Sequence, residues 1–178
     1  LSAQNIANNL GDVTTNNVAA FSGLYFEKSI GGVPKGRLTF SGALNLSLRD
    51  TQTFLQNLGT KLEQGNGSIA FDARTSAVFS ATGASIVLYG LPAGITSGKL
   101  IVRNDTGTVV ASSSVVSGFL QDSETHNITF TAAHFTKFDI DTTLPVIAAH
   151  ANVGPIEATS GAGATVTYTA PNATDNID

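Results

Sequence analysis

Acidic residues occur on both sides of Pro145, which marks a joint between two predicted domains near the carboxyl end of this 178-residue chain. Calcium takes about six to eight hard oxygen ligands, and carboxylates supply them. Acidic side chains that meet at the joint could therefore hold a Ca²⁺ ion, the one cofactor that the sequence suggests. The alternative is that they are solvated turn residues and strand caps, a routine use of Asp. The candidate ligands are Asp139, Asp141, Glu157, Asp175 and Asp178.

Residues that carry catalysis in other proteins form no motif in this sequence. The chain has no Cys, which excludes a disulfide framework, a thiolate zinc site and a Cys nucleophile. His126, His134 and His150 lack the spacing of a helical zinc site and belong to no triad motif. Glycoside hydrolysis needs two carboxylates, which Asp50 and Asp72 could supply, but Asp50 is better explained as a helix cap. We therefore predict that the protein is not an enzyme.

Asn-x-Ser/Thr sequons offer candidate glycosylation sites. Several are expected by chance in a chain rich in Asn, Ser and Thr. Asn66 and Asn104 fall in predicted turns, where a glycan would not disturb a strand, so we single out these two. The sequons lie at Asn45, Asn66, Asn104, Asn127 and Asn172.

The composition indicates an extracellular β-protein, either secreted or displayed on a cell surface. Hydrophobic residues make up 42% of the chain and charged residues only 12%, about half the usual charged share. Thr, Ser, Asn and Gly must therefore cover the surface. The net charge of -4 provides no basic footprint for a nucleic acid. No uninterrupted apolar run approaches the roughly 20 residues of a membrane-spanning helix.

Residues 18–140 predict one β-rich domain. Short runs of alternating apolar and polar residues are separated by turn residues, as at residues 104–107. Residues 165–170 repeat the alternation in the carboxyl segment. We expect a mainly β fold: an antiparallel, immunoglobulin-like β-sandwich with one short helix, followed by a partial second immunoglobulin-like domain at residues 141–178. Residues 1–17 form an extension that could be a frayed helix, a loose arm or a strand lent to a neighbour.

The one helix is expected at about residues 50–64. Phe54, Leu58 and Leu62 recur at helical spacing, and Asp50 is the predicted cap. The helix would cover the open face of a sheet.

The carboxyl segment carries a set of motifs at fixed places. Asp-Thr-Thr-x-Pro-Val-Ile occupies residues 141–147, and Glu-Ala-Thr occupies residues 157–159. Gly-Ala-x-Val-x-Tyr-x-Ala-Pro follows at residues 163–171, and Asp-Asn-x-Asp at residues 175–178. These motifs resemble the first half of a hyalin repeat (HYR) domain, an immunoglobulin-like module of extracellular and bacterial surface proteins.

The resemblance implies a role in adhesion and surface architecture, and no catalysis. It also implies that acids at the joint between such modules bind calcium and stiffen a rod. Many hyalin repeats carry Cys near the positions of Ala148 and Ala149, so their disulfide is absent here. Residues 1–140 bear a loose resemblance to bacterial and archaeal surface-protein modules that end in a strand like residues 134–138.

The first hypothesis is a structural subunit or stalk segment of a surface protein, either an adhesin or a self-assembling, pilus-like filament. An immunoglobulin-like sandwich needs about seven strands, and residues 141–178 supply two or three. Either the remaining strands are cut off from this sequence or a neighbouring chain lends them, so the expected partners are other copies or neighbouring repeats. The alternatives are an extracellular module that binds a carbohydrate or a protein and, less favoured, an accessory domain of a secreted hydrolase.

Overall fold

The computed structural model describes residues 5–149 and 151–175, and it is mainly β with antiparallel sheets. The chain divides into two compact units, Leu1–Asp141 and Thr142–Asp178. They are called the front unit and the second unit below.

The front unit contains eleven strands and three short α-helices among its described residues. The helices are α1 (Arg49–Gln56), α2 (Leu58–Lys61) and α3 (Ala77–Ser80). Short 3-10 helices occur at Leu10–Asp12, Ser97–Lys99 and Ser112–Ser114. The strands are β1 (Ile6–Asn8), β2 (Tyr25–Ile30), β3 (Val33–Phe40), β4 (Leu62–Gly65), β5 (Ser68–Phe71), β6 (Ala84–Leu88), β7 (Leu100–Arg103), β8 (Val109–Val110), β9 (Val116–Gln121), β10 (Ile128–Ala132) and β11 (Lys137–Ile140).

These strands form two sheets that pack face to face around one core. The first sheet has the order β1-β2-β3-β6-β10-β9, and the second has the order β4-β5-β11-β7-β8. In β6, Ala84, Ile86 and Leu88 are buried while Ser85 and Val87 are half-buried, as the period of two in a strand requires. The buried residues of both sheets belong to a single apolar cluster. The predicted β-sandwich is confirmed.

Phenylalanine side chains connect the two sheets. Phe71, the last residue of β5, lies within ring contact of five other phenylalanines, at centroid distances of 4.8 to 6.4 Å. Aromatic rings bury large apolar areas and gain further from edge-on and stacked contacts. This phenylalanine cluster therefore joins β5 to the opposite sheet and to two helices. Its other members are Phe26, Phe40, Phe54, Phe79 and Phe135.

The predicted helix is shorter than expected and is broken. Helix α1 ends at Gln56, α2 ends at Lys61, and the chain continues directly as β4. The prediction to residue 64 was wrong because Leu62 satisfies a helical and a strand pattern equally well. In the structure Leu62 lies opposite Phe71, and β4 and β5 form a hairpin across the Asn66-Gly67 turn.

Asp50 does not cap helix α1. Leu48 occupies the N-cap position and makes no side-chain capping bond. The carboxylate of Asp50 instead accepts a hydrogen bond from the backbone N–H of Thr51, its neighbour inside the helix. Helix α1 packs into the core through Phe54, so packing stabilises it.

The amino-terminal extension forms part of the sandwich over its described residues. Ile6 in β1 is buried and pairs with Lys28 of β2, so β1 is an edge strand of the first sheet. Residues 6–8 are therefore not a frayed helix, a loose arm or a strand lent to a neighbour, because β1 pairs within its own chain.

The second unit contains two strands among its described residues, β12 (Val146–Ile147) and β13 (Ala173–Thr174). They pair in antiparallel register. The alternating run at residues 165–170, predicted as a strand, is not in a sheet. Alternation makes a strand only when a paired neighbour and an apolar layer are present, and the described part of the chain provides neither for these residues.

We predict that Phe71→Ala lowers the free energy of unfolding of the chain by about 3–5 kcal/mol, because it removes a side chain that five rings contact. Urea denaturation followed by circular dichroism measures the change. Leu120→Ala on the exposed side of β9 is the control and should cost less than about 0.5 kcal/mol. Equal losses in the two variants would contradict a central role for Phe71.

Candidate functional site

Two of the candidate calcium ligands are in ion pairs within the front unit. Asp139 lies on β11, with its carboxylate 3.4 Å from the Lys137 ammonium and 3.7 Å from the Arg103 guanidinium. Asp141 is largely buried, and its carboxylate accepts a hydrogen bond from Lys99 at 3.1 Å. A Ca²⁺ ion would have to compete with these cations for the same oxygens.

The other three candidate ligands lie in the second unit. Glu157 is exposed, Asp175 is half-buried, and Asp178 is outside the described residues. Over residues 5–149 and 151–175, no group of three or more Asp, Glu, His or Cys could hold a metal ion. The calcium site stays a prediction that rests on the sequence resemblance.

The two singled-out sequons lie in exposed hairpin turns. Asn66 connects β4 to β5, and Asn104 follows β7. The side-chain oxygen of Asn104 accepts hydrogen bonds from the Thr106 backbone and hydroxyl and from the Thr108 backbone, which holds the turn in shape. Glycosylation at either position stays a prediction.

A groove of about 370 Å³ opens on the outer face of the second sheet. It is called the ionic groove here because seven of its thirteen lining residues are charged. Strand register forms its floor: Ala70 lies opposite Lys137, which in turn lies opposite Arg103. The small side chain of Ala70 leaves room between longer neighbours. The lining residues are Thr60, Lys61, Glu63, Ala70, Phe71, Asp72, Arg74, Arg103, Asn104, Asp105, Gly107, Thr136 and Lys137.

One end of the ionic groove is organised around Asp72. Arg74 donates two hydrogen bonds to the Asp72 carboxylate, at 2.8 and 3.2 Å, and Lys61 donates a third at 3.1 Å. The pKa of Asp72 is held far below its usual range, first by the Arg74 hydrogen bonds and then by Lys61, against an opposing effect of burial. Arg74 also lies 3.9 Å from Asp105. Asp72 is thus an ion-pair residue, and nothing in its contacts supports the glycosidase pair imagined with Asp50.

The other side of the groove is organised around Asp139, just outside the lining. Arg103 and Lys137 share this one carboxylate. Each end of the groove places two cations around one aspartate. Asp105 adds a second carboxylate beside Arg74, so the cations are in excess only at the Arg103–Lys137 end, where a further oxyanion could be held.

Sequence reasoning missed the groove cations. Lys61, Arg74, Arg103 and Lys137 are four of the nine basic residues in the chain, yet they are spread over 77 positions with no motif. Only the strand pairing places them together. The available signal was the alternation in β11, which predicts that Lys137 and Asp139 share the outer face.

The aromatic residues on the outer face of the first sheet are engaged by neighbours. Arg37 lies over the Tyr25 ring, 4.5 Å from its centroid, and donates a hydrogen bond to Glu27. The Tyr89 hydroxyl donates a hydrogen bond to the same carboxylate, and burial followed by Glu27 raises the pKa of Tyr89. The exposed side of the Tyr25 ring is therefore occupied by the guanidinium.

The second unit exposes large apolar side chains throughout its described length. Their exposed fractions range from 44% to 81%. They are called the uncovered apolar set: Leu144, Val146, Ile147, Val153, Ile156, Val166 and Tyr168.

Comparisons of the chain with family models, with curated proteins and with solved structures find no match. Within the described ranges, no helix has the length and apolar character needed to cross a membrane.

We predict that Asp72→Asn lowers the free energy of unfolding at pH 7 by about 1 kcal/mol, the scale of a partly exposed ion pair. The folded-state pKa of Asp72 is depressed, so its contribution is complete above the unfolded pKa of about 3.9 and is lost as pH falls below it. The gap between the variant and the original chain should therefore shrink between pH 5 and about pH 2.

Urea denaturation at a series of pH values measures this gap. Asp12→Asn, at an exposed carboxylate of the front unit, is the control and should change stability by less than about 0.5 kcal/mol at either extreme. A gap for Asp72→Asn that stays constant with pH would contradict the assignment.

Proposed function

We propose that this chain is a structural segment of an extracellular surface protein, an adhesin stalk or a self-assembling filament, and that its second unit is the joining element. The observation that carries the proposal is the contrast in burial between the two units. The core of the front unit is buried to 7% exposure or less, while the uncovered apolar set of the second unit is 44–81% exposed.

The front unit supports the proposal because it is a folded domain with a buried core of its own. Both sheets direct apolar side chains into one core, and the phenylalanine cluster connects them. The chain has only 12% charged residues and is rich in Thr, Ser, Asn and Gly, which suits an extracellular setting.

The second unit supports the proposal as a segment that needs a partner. Its described residues contain two strands of two residues each, which are too few to be independently stable in water. Large exposed apolar patches in soluble proteins mark interaction surfaces. Residues 165–170 keep an alternating pattern, with Val166 and Tyr168 on one side and threonines on the other, so they are suited to pair with a strand of another chain.

The resemblance to a hyalin repeat also supports the proposal that the second unit joins chains. It predicts an immunoglobulin-like sandwich from residue 141 onward, and such a sandwich buries side chains at the positions that are exposed here. We propose that strands from another copy of the chain complete this sandwich.

Self-association is the expected consequence of this proposal. At about 100 µM the chain should sediment as a dimer or a larger species, and dilution should dissociate it. Val166→Asp with Tyr168→Asp should weaken the association by at least about tenfold, because each change removes about 1.5–3 kcal/mol of apolar burial. Analytical ultracentrifugation measures both effects.

The matched control is Ile30→Asp with Val33→Asp at the tip of the β2–β3 hairpin. These side chains belong to the front unit and have a similar exposure, 48% and 56%. The control adds the same charge and should leave association unchanged. A chain that stays monomeric at every concentration, or a control that dissociates equally, would overturn the role of the second unit in joining chains.

The ionic groove favours a second function, ligand binding by the front unit. It combines cations, carboxylates, hydroxyls and an amide around one depression. The two functions are compatible, since adhesins display binding sites on structural stalks.

A further inference from the structure

Basic residues are concentrated around the ionic groove in a chain that is otherwise acidic. Four of the nine basic residues line it, while the chain as a whole has a net charge of -4. Three carboxylates share the lining and Asp139 lies just outside it, so the groove as a whole is neutral, but its Arg103–Lys137 end has two cations around one carboxylate. A ligand with one negative charge would find its most favourable position at that end.

The strand register places like charges directly opposite each other in the groove. Lys137 on β11 faces Arg103 on β7, and both point away from the core. Directly opposed like charges destabilise a sheet. Asp139 offsets part of this cost, at 3.4 Å from one cation and 3.7 Å from the other. An oxyanion bound between Lys137 and Arg103 would offset the rest.

The size of the groove limits its ligand to about one or two sugar rings. Its volume of about 370 Å³ is at the lower end of small-molecule sites. The depression lies over Ala70, the small residue between Glu63 and Lys137 in the strand register. Longer side chains on either side form its walls.

The three carboxylates of the lining select against a polyanion. Glu63, Asp72 and Asp105 would repel a ligand with closely spaced negative charges, such as a nucleic acid or a polysulfate. Carboxylates accept hydrogen bonds from hydroxyl groups, and Thr60, Thr136 and Asn104 add further polar groups. The lining therefore complements a ligand that carries one carboxylate and several hydroxyls.

We infer that the ionic groove binds an acidic saccharide of the uronic-acid type. Lys137 and Arg103 hold the sugar carboxylate, and the acidic side chains of the lining accept hydrogen bonds from its hydroxyls. The inference rests on the second proposed function, ligand binding by the front unit, and is independent of self-association.

Calorimetric titration of the full chain with galacturonate, a single sugar ring with one carboxylate, tests the inference. The expected result is saturable binding that galactose, the neutral sugar with the same ring stereochemistry, does not reproduce. Lys137→Gln should weaken the binding by about tenfold or more, since a charge-assisted hydrogen bond is lost. Lys35→Gln, at a lysine that does not line the groove, is the matched control and should bind as the original chain does.

Arg103→Gln gives a second, independent variant, and thermal unfolding establishes that each variant is folded. If only one variant folds, the result from that variant decides. Equal binding by the Lys137→Gln chain and the original chain would overturn the inference.

Three comparison ligands separate this inference from its alternatives. Equal or tighter binding of galactose with no effect of Lys137→Gln would overturn the acidic-saccharide assignment but leave a binding function in place. Tighter binding of a sulfated polymer would overturn it in favour of a polyanionic ligand. Tighter binding of glycine would overturn it in favour of a zwitterionic ligand. If neither galacturonate nor any of these ligands binds, both the inference and the second function fail.

Discussion

The ring of Phe71, from the second sheet, contacts phenylalanines from the first sheet and from two helices, and the front unit depends on this cluster. Phe26 and Phe40 come from the first sheet, and Phe54 and Phe79 come from α1 and α3. A chain without disulfides and with few ion pairs must gain its stability from apolar packing. The contacting rings concentrate that packing where the sheets and two helices meet.

The same packing determines what lies on the opposite face. Because Phe71 points into the core, Ala70 points outward, and the chain leaves β5 at Asp72 beside Lys61. The inward positions of Phe138 and Val102 likewise place Lys137 and Arg103 on the outer face, directly opposite each other. The ionic groove is therefore a consequence of core register: a shift of one residue in β5 or β11 would exchange buried and exposed side chains and abolish it.

The two units show how one sequence pattern leads to two outcomes. In β6 the alternating residues have paired strands on both sides, and Ile86 and Leu88 are fully buried. In the second unit Val166 and Tyr168 alternate in the same way, but no strand among the described residues pairs with them, and they remain exposed. Burial of a strand depends on neighbours that its own residues do not encode. This dependence is the physical reason to propose that the second unit joins chains.

By itself the sequence determined the mainly β class, the sandwich and the position of most strands, because period-two alternation and turn residues such as those at 104–107 act locally. It also placed the hairpin turn at Asn104, whose side chain shapes its own loop. The end of the helix at Lys61, the edge strand at Ile6 and the groove cations were decided only by the tertiary structure. Leu62 fits a helix or a strand equally well until Phe71 lies opposite it, and Lys61, Arg74, Arg103 and Lys137 become neighbours only when distant strands pair.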